Sequence, residues 1–316
     1  MNQVLARIAP LYERKSVRRA FQIIWISVVI LFILGTIFSQ WDTIREIHWT
    51  VERLRFLGLA LLATLLRRLA GGLRWFWIVR LLGNKDQEVN LRQSLKVYFV
   101  ANLATYIPGT YWFIPGRIMM NSKHGMTALQ TGVSTLVEHF LLILSGSLLG
   151  LLGLDLMAHL LNWSVESFWW ILLVIVVGLV AIHPLSLNFI TNRMARILKM
   201  PPVEISVGYA TLLLHLVWSI FIWLLGALSL LFLAKAFLPE IRLDQLGIFS
   251  AIFAISWLIG FFTPFAPSGI GIREGVIGIA FTALNVPLGI TVLLAALSRL
   301  LIIFEDVFWA AIGMLL

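Results

Sequence analysis

Apolar residues run continuously through most of this chain, broken by short polar stretches. About 20 helical residues cross the hydrocarbon core of a bilayer. Runs of that order predict full spans at 20–39, 54–82, 127–154, 167–185, 207–237 and 286–316. Two further apolar segments are interrupted. The first has an arm at 91–106, a break from Pro108 to Gly116 and a short second arm. The second runs from 243 to 284 around Pro264, Pro267, Gly269 and Gly271, with Arg273 and Glu274 directly after. Proline and glycine break helices. Backbone broken at membrane depth is tolerated where protein or water surrounds it, so each break predicts a lined cavity and a re-entrant hairpin. At 1–19, Val4, Leu5, Ile8 and Tyr12 share a face and the basic residues fall mostly elsewhere, which predicts a short interfacial helix.

The two breaks match in spacing. Pro108 precedes Arg117 by nine positions, and Pro264 precedes Arg273 by nine. Met126 to Glu138 and Pro287 to Arg299 are both intervals of twelve, which places Glu138 and Arg299 in equivalent positions. The steps from Arg117 to Glu138 and from Arg273 to Arg299 differ by five, so an insertion is required. With the N-terminus inside, the inner segments hold 13 Lys plus Arg and the outer ones 4. Basic residues collect on the cytoplasmic side. The expectation is an all-α polytopic protein of about six spans and two broken hairpins. Its halves, 1–166 and 167–316, form an inverted repeat within one transmembrane domain. Transporters often share that architecture.

Composition agrees with this class. The chain has 316 residues, 60% of them hydrophobic and 12% charged. Soluble domains carry about twice that charge. Long unbroken apolar runs exclude a β-barrel. The absence of Cys excludes disulfides, thiolate catalysis and Cys-ligated metals. The net charge of +9 fits the inside-positive bias better than nucleic-acid binding. The first run is of full length and lacks a small-residue cleavage site, so it reads as a retained span.

Charges placed inside spans and hairpins are the candidate chemistry. Each costs about 2.5–3.5 kcal/mol at a lipid-facing midplane on insertion scales, so it must pair or face water. Arg117 and Arg273 each end a break and begin a short helix, where free N–H groups and the helix dipole favour an anion. A guanidinium adds a fork suited to phosphate or carboxylate. Two readings stand for them: binding an anionic head group, or neutralising Glu138 and Glu274 to hold the halves together. Arg67, Gly71 and Arg74 share one face, with Gly71 and Gly72 opening room beside them. They form either a basic track or a pair bonded to carbonyls. Arg68 points about 100° away from that face. Glu305 and Asp306 are placed near the inner boundary, and Lys235 near a span end, from which it snorkels.

Other patterns carry less. Gly269-Ile-Gly271 imitates part of a dinucleotide fingerprint but lacks a βαβ setting. Glu138-His139 is no zinc-protease motif, and no His/Asp/Glu cluster suggests a metal or other cofactor. No Ser-His-Asp set can be placed. His183 and His215 read as packed or capping residues. Asn162 opens a formal glycosylation sequon. Asn102, Tyr106, Tyr111 and Trp112 line the first hairpin.

These motifs resemble the lysylphosphatidylglycerol synthase transmembrane family. The likeness rests on Pro115-Gly116-Arg117, on Glu138-His139 where that family shows Glu-Arg, on Pro264, Pro267, Ser268, Gly269, Gly271 and Glu274, and on Arg299. Ser268 stands where Gly is common, a change that asks little if the backbone angle is ordinary. The resemblance implies a flippase for lipids with polar head groups, aminoacylated phospholipids or polyprenyl-phosphate-linked sugars among them. The expected partners are membrane lipids and a separate synthase or glycosyltransferase, in the plasma membrane and without nucleic acid. The expected substrate-binding set is Arg117, Arg273, Glu138, Glu274, Arg299, Arg67 and Arg74. No enzyme activity is expected. The rival readings are a membrane-embedded lipid transferase and a non-transporting partner of a synthase.

Overall fold

The computed structural model describes residues 49–83, 89–107, 111–161, 164, 166, 169–198, 207–264 and 266–316, with Leu31, Gly35, Phe38, Trp41 and Arg45. Those five isolated residues are helical and exposed, and they belong to a unit, Met1–Ile47, distinct from His48–Leu316. The interfacial helix expected at 1–19, most of the span at 20–39, Pro108 and Asn162 lie outside the described residues.

Within His48–Leu316 the described residues are helical, with no strand among them. Helix α1 is Val51–Leu82, opened by Thr50, whose hydroxyl accepts the Arg53 N–H at 3.2 Å. Helix α2 is Leu91–Asn102, continued by a 3₁₀ turn, Leu103–Tyr106. Helix α3 is Phe113–Ser122 and α4 is Ala128–Gly150, which a reciprocal Thr127–Gln130 capping box starts. Helices α5 (Leu154–Leu161), α6 (Trp169–Ala181) and α7 (Pro184–Leu198) follow. Helix α8 is Tyr209–Phe237, and α9 is Leu246–Phe261 after a 3₁₀ turn. A second break carries the 3₁₀ turn Pro267–Gly269 into α10, Ile272–Ala283, and α11 is Leu288–Leu315.

Among the described residues, five helices are long and apolar enough to cross a membrane: Val51–Leu82, Ala128–Leu156, Tyr209–Phe237, Leu243–Phe261 and Leu288–Leu315. Leu172–Ala181 and Pro184–Ile197, within α6 and α7, meet at a 73° bend and make a sixth only if counted as one span. The protein is a multi-pass helical membrane protein. The expected spans at 54–82, 127–154, 207–237 and 286–316 are present. The first arm of the second hairpin is itself of spanning length, whereas its counterpart α2 has 12 residues.

The first break is shorter than expected. Helix resumes at Phe113, so Pro115 and Gly116 lie in the first turn of α3. A first-turn proline loses no helical hydrogen bond, because those N–H groups have no partner in the helix. Arg117 therefore sits one turn inside α3, whereas Arg273 is the second residue of α10.

Helix α1 packs on α8 in the most extensive pairing of the unit. Helix α2 packs on α11, and α9 on α4. The two 3₁₀ turns of the breaks touch each other. Small residues allow these approaches, as in other helix bundles built in lipid. The Tyr98 ring of α2 closes on Gly71 and that of Phe99 on Gly72, while Gly71 also borders a cavity with Arg67, Arg68 and Arg74. An apolar core of Ile78, Leu129, Val133, Leu144, Ile175 and Leu212 joins α1, α4, α6 and α8.

Candidate functional site

The two breaks and the middle of α1 converge on one buried network of charge. In the first group, Arg117 donates to Glu138 on α4. Its guanidinium lies 4.2 Å from the Trp75 ring centre and 4.8 Å from that of Tyr98. Arg74 Nη2 is 3.6 Å from the other Glu138 oxygen, and Arg74 Nη1 donates to Ser219 of α8. One carboxylate thus serves two arginines on two helices. His139 Nδ1 lies 2.8 Å from the Thr135 carbonyl, so that nitrogen carries the donated proton. Its ring is stacked between Phe113 and Phe261.

The second group joins α1 to α11. Arg67 donates to Glu305, and Arg68 donates to Asp306. Asp306 also accepts from Asn102 at 3.1 Å and from the Tyr106 hydroxyl at 2.8 Å. Glu305 is fully buried and Asp306 nearly so. Arg68, set aside by helical phase, shares this network because two successive α1 positions reach the successive acids of α11.

The third group is at the second break. Arg299 donates to the Ser268 carbonyl at 3.0 Å, and its Nε is 3.5 Å from Glu274. The other Glu274 oxygen accepts the Gly271 N–H at 2.6 Å. Arg273 does not pair with Glu274. It is 7% exposed and is the one arginine of the six with no carboxylate partner among the described residues. Its stem crosses Gly260 and Gly269, and its guanidinium lies 6.0 Å from the Phe253 ring centre. The backbone at Ser268 is not ordinary: φ is +51°, in the left-handed region.

A cavity of about 100 Å³ lies among these groups. Arg67, Arg68, Arg74, Arg117 and Arg273 reach it, with Asp306. Trp223, Trp257 and Phe261 form an aromatic side. A smaller cavity of about 20 Å³ adjoins it, and Arg67, Arg273 and Ile302 line both. Of the seven expected binding residues, Arg67, Arg74, Arg117, Glu138 and Arg273 line the larger cavity and Glu274 the smaller, while Arg299 lines neither and reaches the site through Glu274 and the Ser268 carbonyl. Of the second break's residues, Ser268 touches the cavity, beside Gly260 from the last turn of α9, while Pro264 and Gly271 serve the turn. Residues that spacing missed are Ser219, Tyr98 and the aromatic side, which look like ordinary apolar-helix residues in the sequence. Lys235 reaches the Pro239 and Ile241 carbonyls at the end of α8, away from the cavity. His183 accepts the Leu185 N–H, and His215 packs on Trp218. No His/Cys/Asp/Glu group of metal-binding size occurs among the described residues.

The model of one protein family, described as lysylphosphatidylglycerol synthase TM region, matches residues 22–307. No curated protein matches the chain.

Proposed function

The chain belongs to the lysylphosphatidylglycerol synthase TM region family, and from that premise we propose that it is a flippase. It moves an anionic or polar-headed lipid, a phospholipid or a polyprenyl-phosphate-linked sugar, between leaflets. The observation that carries the reading is Arg273: a buried guanidinium, free of carboxylates among the described residues, at the edge of a cavity between two helix breaks. A buried charge of this kind is costly unless an anion completes it.

The head group enters the cavity while its tails stay in the bilayer. Its phosphate binds Arg273 and competes with Glu138 for Arg117 and Arg74. The network is suited to such exchange, because Glu138 holds two arginines and can release either. Helices α1 to α4 and α8 to α11 form the two halves of an inverted repeat. The exchange of packing partners, α2 on α11 and α9 on α4, with α1 on α8 between them, supports that arrangement. Rocking of the halves about the touching 3₁₀ turns exposes the cavity to either leaflet. The N-terminus is cytoplasmic and the membrane is the plasma membrane. A separate synthase or glycosyltransferase supplies the lipid, and this chain itself performs no transfer reaction.

The test is a leaflet-exchange assay in proteoliposomes with fluorescent anionic lipids. Arg273→Gln is expected to abolish transport while the protein remains folded in the membrane. Full transport by both Arg273→Ala and Arg117→Ala overturns the site.

A further inference from the structure

The charges around the cavity do not balance. Arg67, Arg68, Arg74, Arg117 and Arg273 line the cavity with the carboxylates of Glu138 and Asp306, and with Glu305 and the Arg299–Glu274 pair behind them the network holds six arginines against four carboxylates. The surplus is two positive charges. The hydrogen-bond inventory leans the same way. Among the described residues, Arg68 Nε, Arg74 Nε and Nη2, Arg117 Nε, Arg273 Nε, and Arg299 Nε and Nη2 are buried without a hydrogen bond, against one unbonded carboxylate oxygen, Glu305 Oε1. Three of those nitrogens lie 3.4, 3.6 and 3.5 Å from a carboxylate oxygen without bonding geometry. A guanidinium donates and never accepts. The cavity is therefore short of acceptors as well as of negative charge.

We infer that the cavity selects a phosphate dianion, the terminal phosphate of a phosphomonoester or diphosphate, over the single charge of a phosphodiester. This rests on the proposed binding role of the same cavity. A terminal phosphate brings close to two charges and three strong acceptor oxygens. A phosphodiester brings one charge and leaves part of the surplus standing. A head group with an added amine makes the imbalance worse. Charge-assisted, forked contacts from arginine suit the terminal group best. The shared chemistry is the phosphate dianion, whether it ends a lipid or is free.

The test compares ligands with identical tails on the purified full chain in phosphatidylcholine nanodiscs. Dihexanoyl phosphatidic acid is the monoester, dihexanoyl phosphatidylglycerol the diester, and inorganic phosphate the free anion. At about pH 8, above the monoester's second pKa of roughly 6, phosphatidic acid is expected to bind about tenfold tighter than phosphatidylglycerol. At about pH 5 the monoester loses its second charge and the preference is expected to vanish, with phosphatidylglycerol as the control for titration of the protein. Arg273→Gln is expected to erase the preference, and the wild-type comparison stands if that variant fails to fold. Equal or tighter binding of phosphatidylglycerol at the higher pH overturns the inference. Inorganic phosphate binding as tightly as phosphatidic acid keeps the dianion and overturns its lipid source. If phosphatidic acid binds preferentially yet is not moved in proteoliposomes, the flippase reading fails and the dianion stands. If both lipids bind and move equally, the reverse holds.

Discussion

The stem of Arg273 lies across Gly260, so closely that a Cβ at Gly260 would stand 2.6 Å from Arg273 Cγ and 3.1 Å from Cδ. The opposite side is closed as well, since that Cβ would be 3.4 Å from the Gly269 Cα. The part of Arg273 that is met lies near its backbone and cannot swing clear. Gly260→Ala favours helix by about 1 kcal/mol at the end of α9, yet must displace the guanidinium. Transport is expected to fall by about 10²-fold through that misplacement, with the protein still expressed and helical. Proteoliposome flux together with circular dichroism checks this. Unchanged flux refutes the positioning role.

Glu138 holds Arg117 and Arg74 together, so the first group is a triad rather than a pair. Glu138→Gln leaves two buried cations uncompensated and is expected to cost about 3–5 kcal/mol. Arg117→Met with Glu138→Leu still strands Arg74 and is expected to remain unstable. Adding Arg74→Met is expected to recover stability but not transport. Thermal melting in detergent distinguishes this order from one in which the double variant already recovers.

Ser268 sits at φ +51° in a turn whose carbonyl accepts from Arg299. The left-handed region costs an L-residue about 1–2 kcal/mol. Ser268→Gly is expected to raise the melting temperature, and Ser268→Val to lower it. The Arg299 contact is to the backbone, so neither result comes from losing that bond. A lower melting temperature for the glycine variant contradicts the assignment.

Asp306 accepts from Arg68, Asn102 and Tyr106, tying the end of α2 to α11. Tyr106→Phe removes one bond and is expected to cost about 1 kcal/mol. Asp306→Asn turns an acceptor into a donor facing donors and is expected to cost more, about 1–3 kcal/mol. Arg68 keeps Glu305 nearby, which limits the loss. Equal melting temperatures for the two variants would contradict the shared role of Asp306.

The helix pattern was largely legible. The span expected from 127 and the prolines of the second break rest on signals within a few residues, and the structure begins α4 and interrupts α9 from α10 there. The first break was misjudged by a few positions, because Pro115 is harmless in a first turn. Arg67, Arg74, Arg117, Glu138 and Arg273 stand out in the sequence because charge in an apolar span has few places to go, and they line one cavity.

Pairing was not legible. Arg273 and Glu274 adjoin in sequence, yet successive helix residues point about 100° apart, and Glu274 turns to Gly271 and Arg299 instead. Glu305 and Asp306 meet Arg67 and Arg68 across 238 positions. Lipid cannot hydrogen-bond a backbone, so each apolar run had to satisfy itself locally, and the sequence alone determined the helices and where they break. Which arginine is left without a carboxylate among the described residues depends on how α1, α10 and α11 pack side by side, and only the tertiary structure decided that it is Arg273.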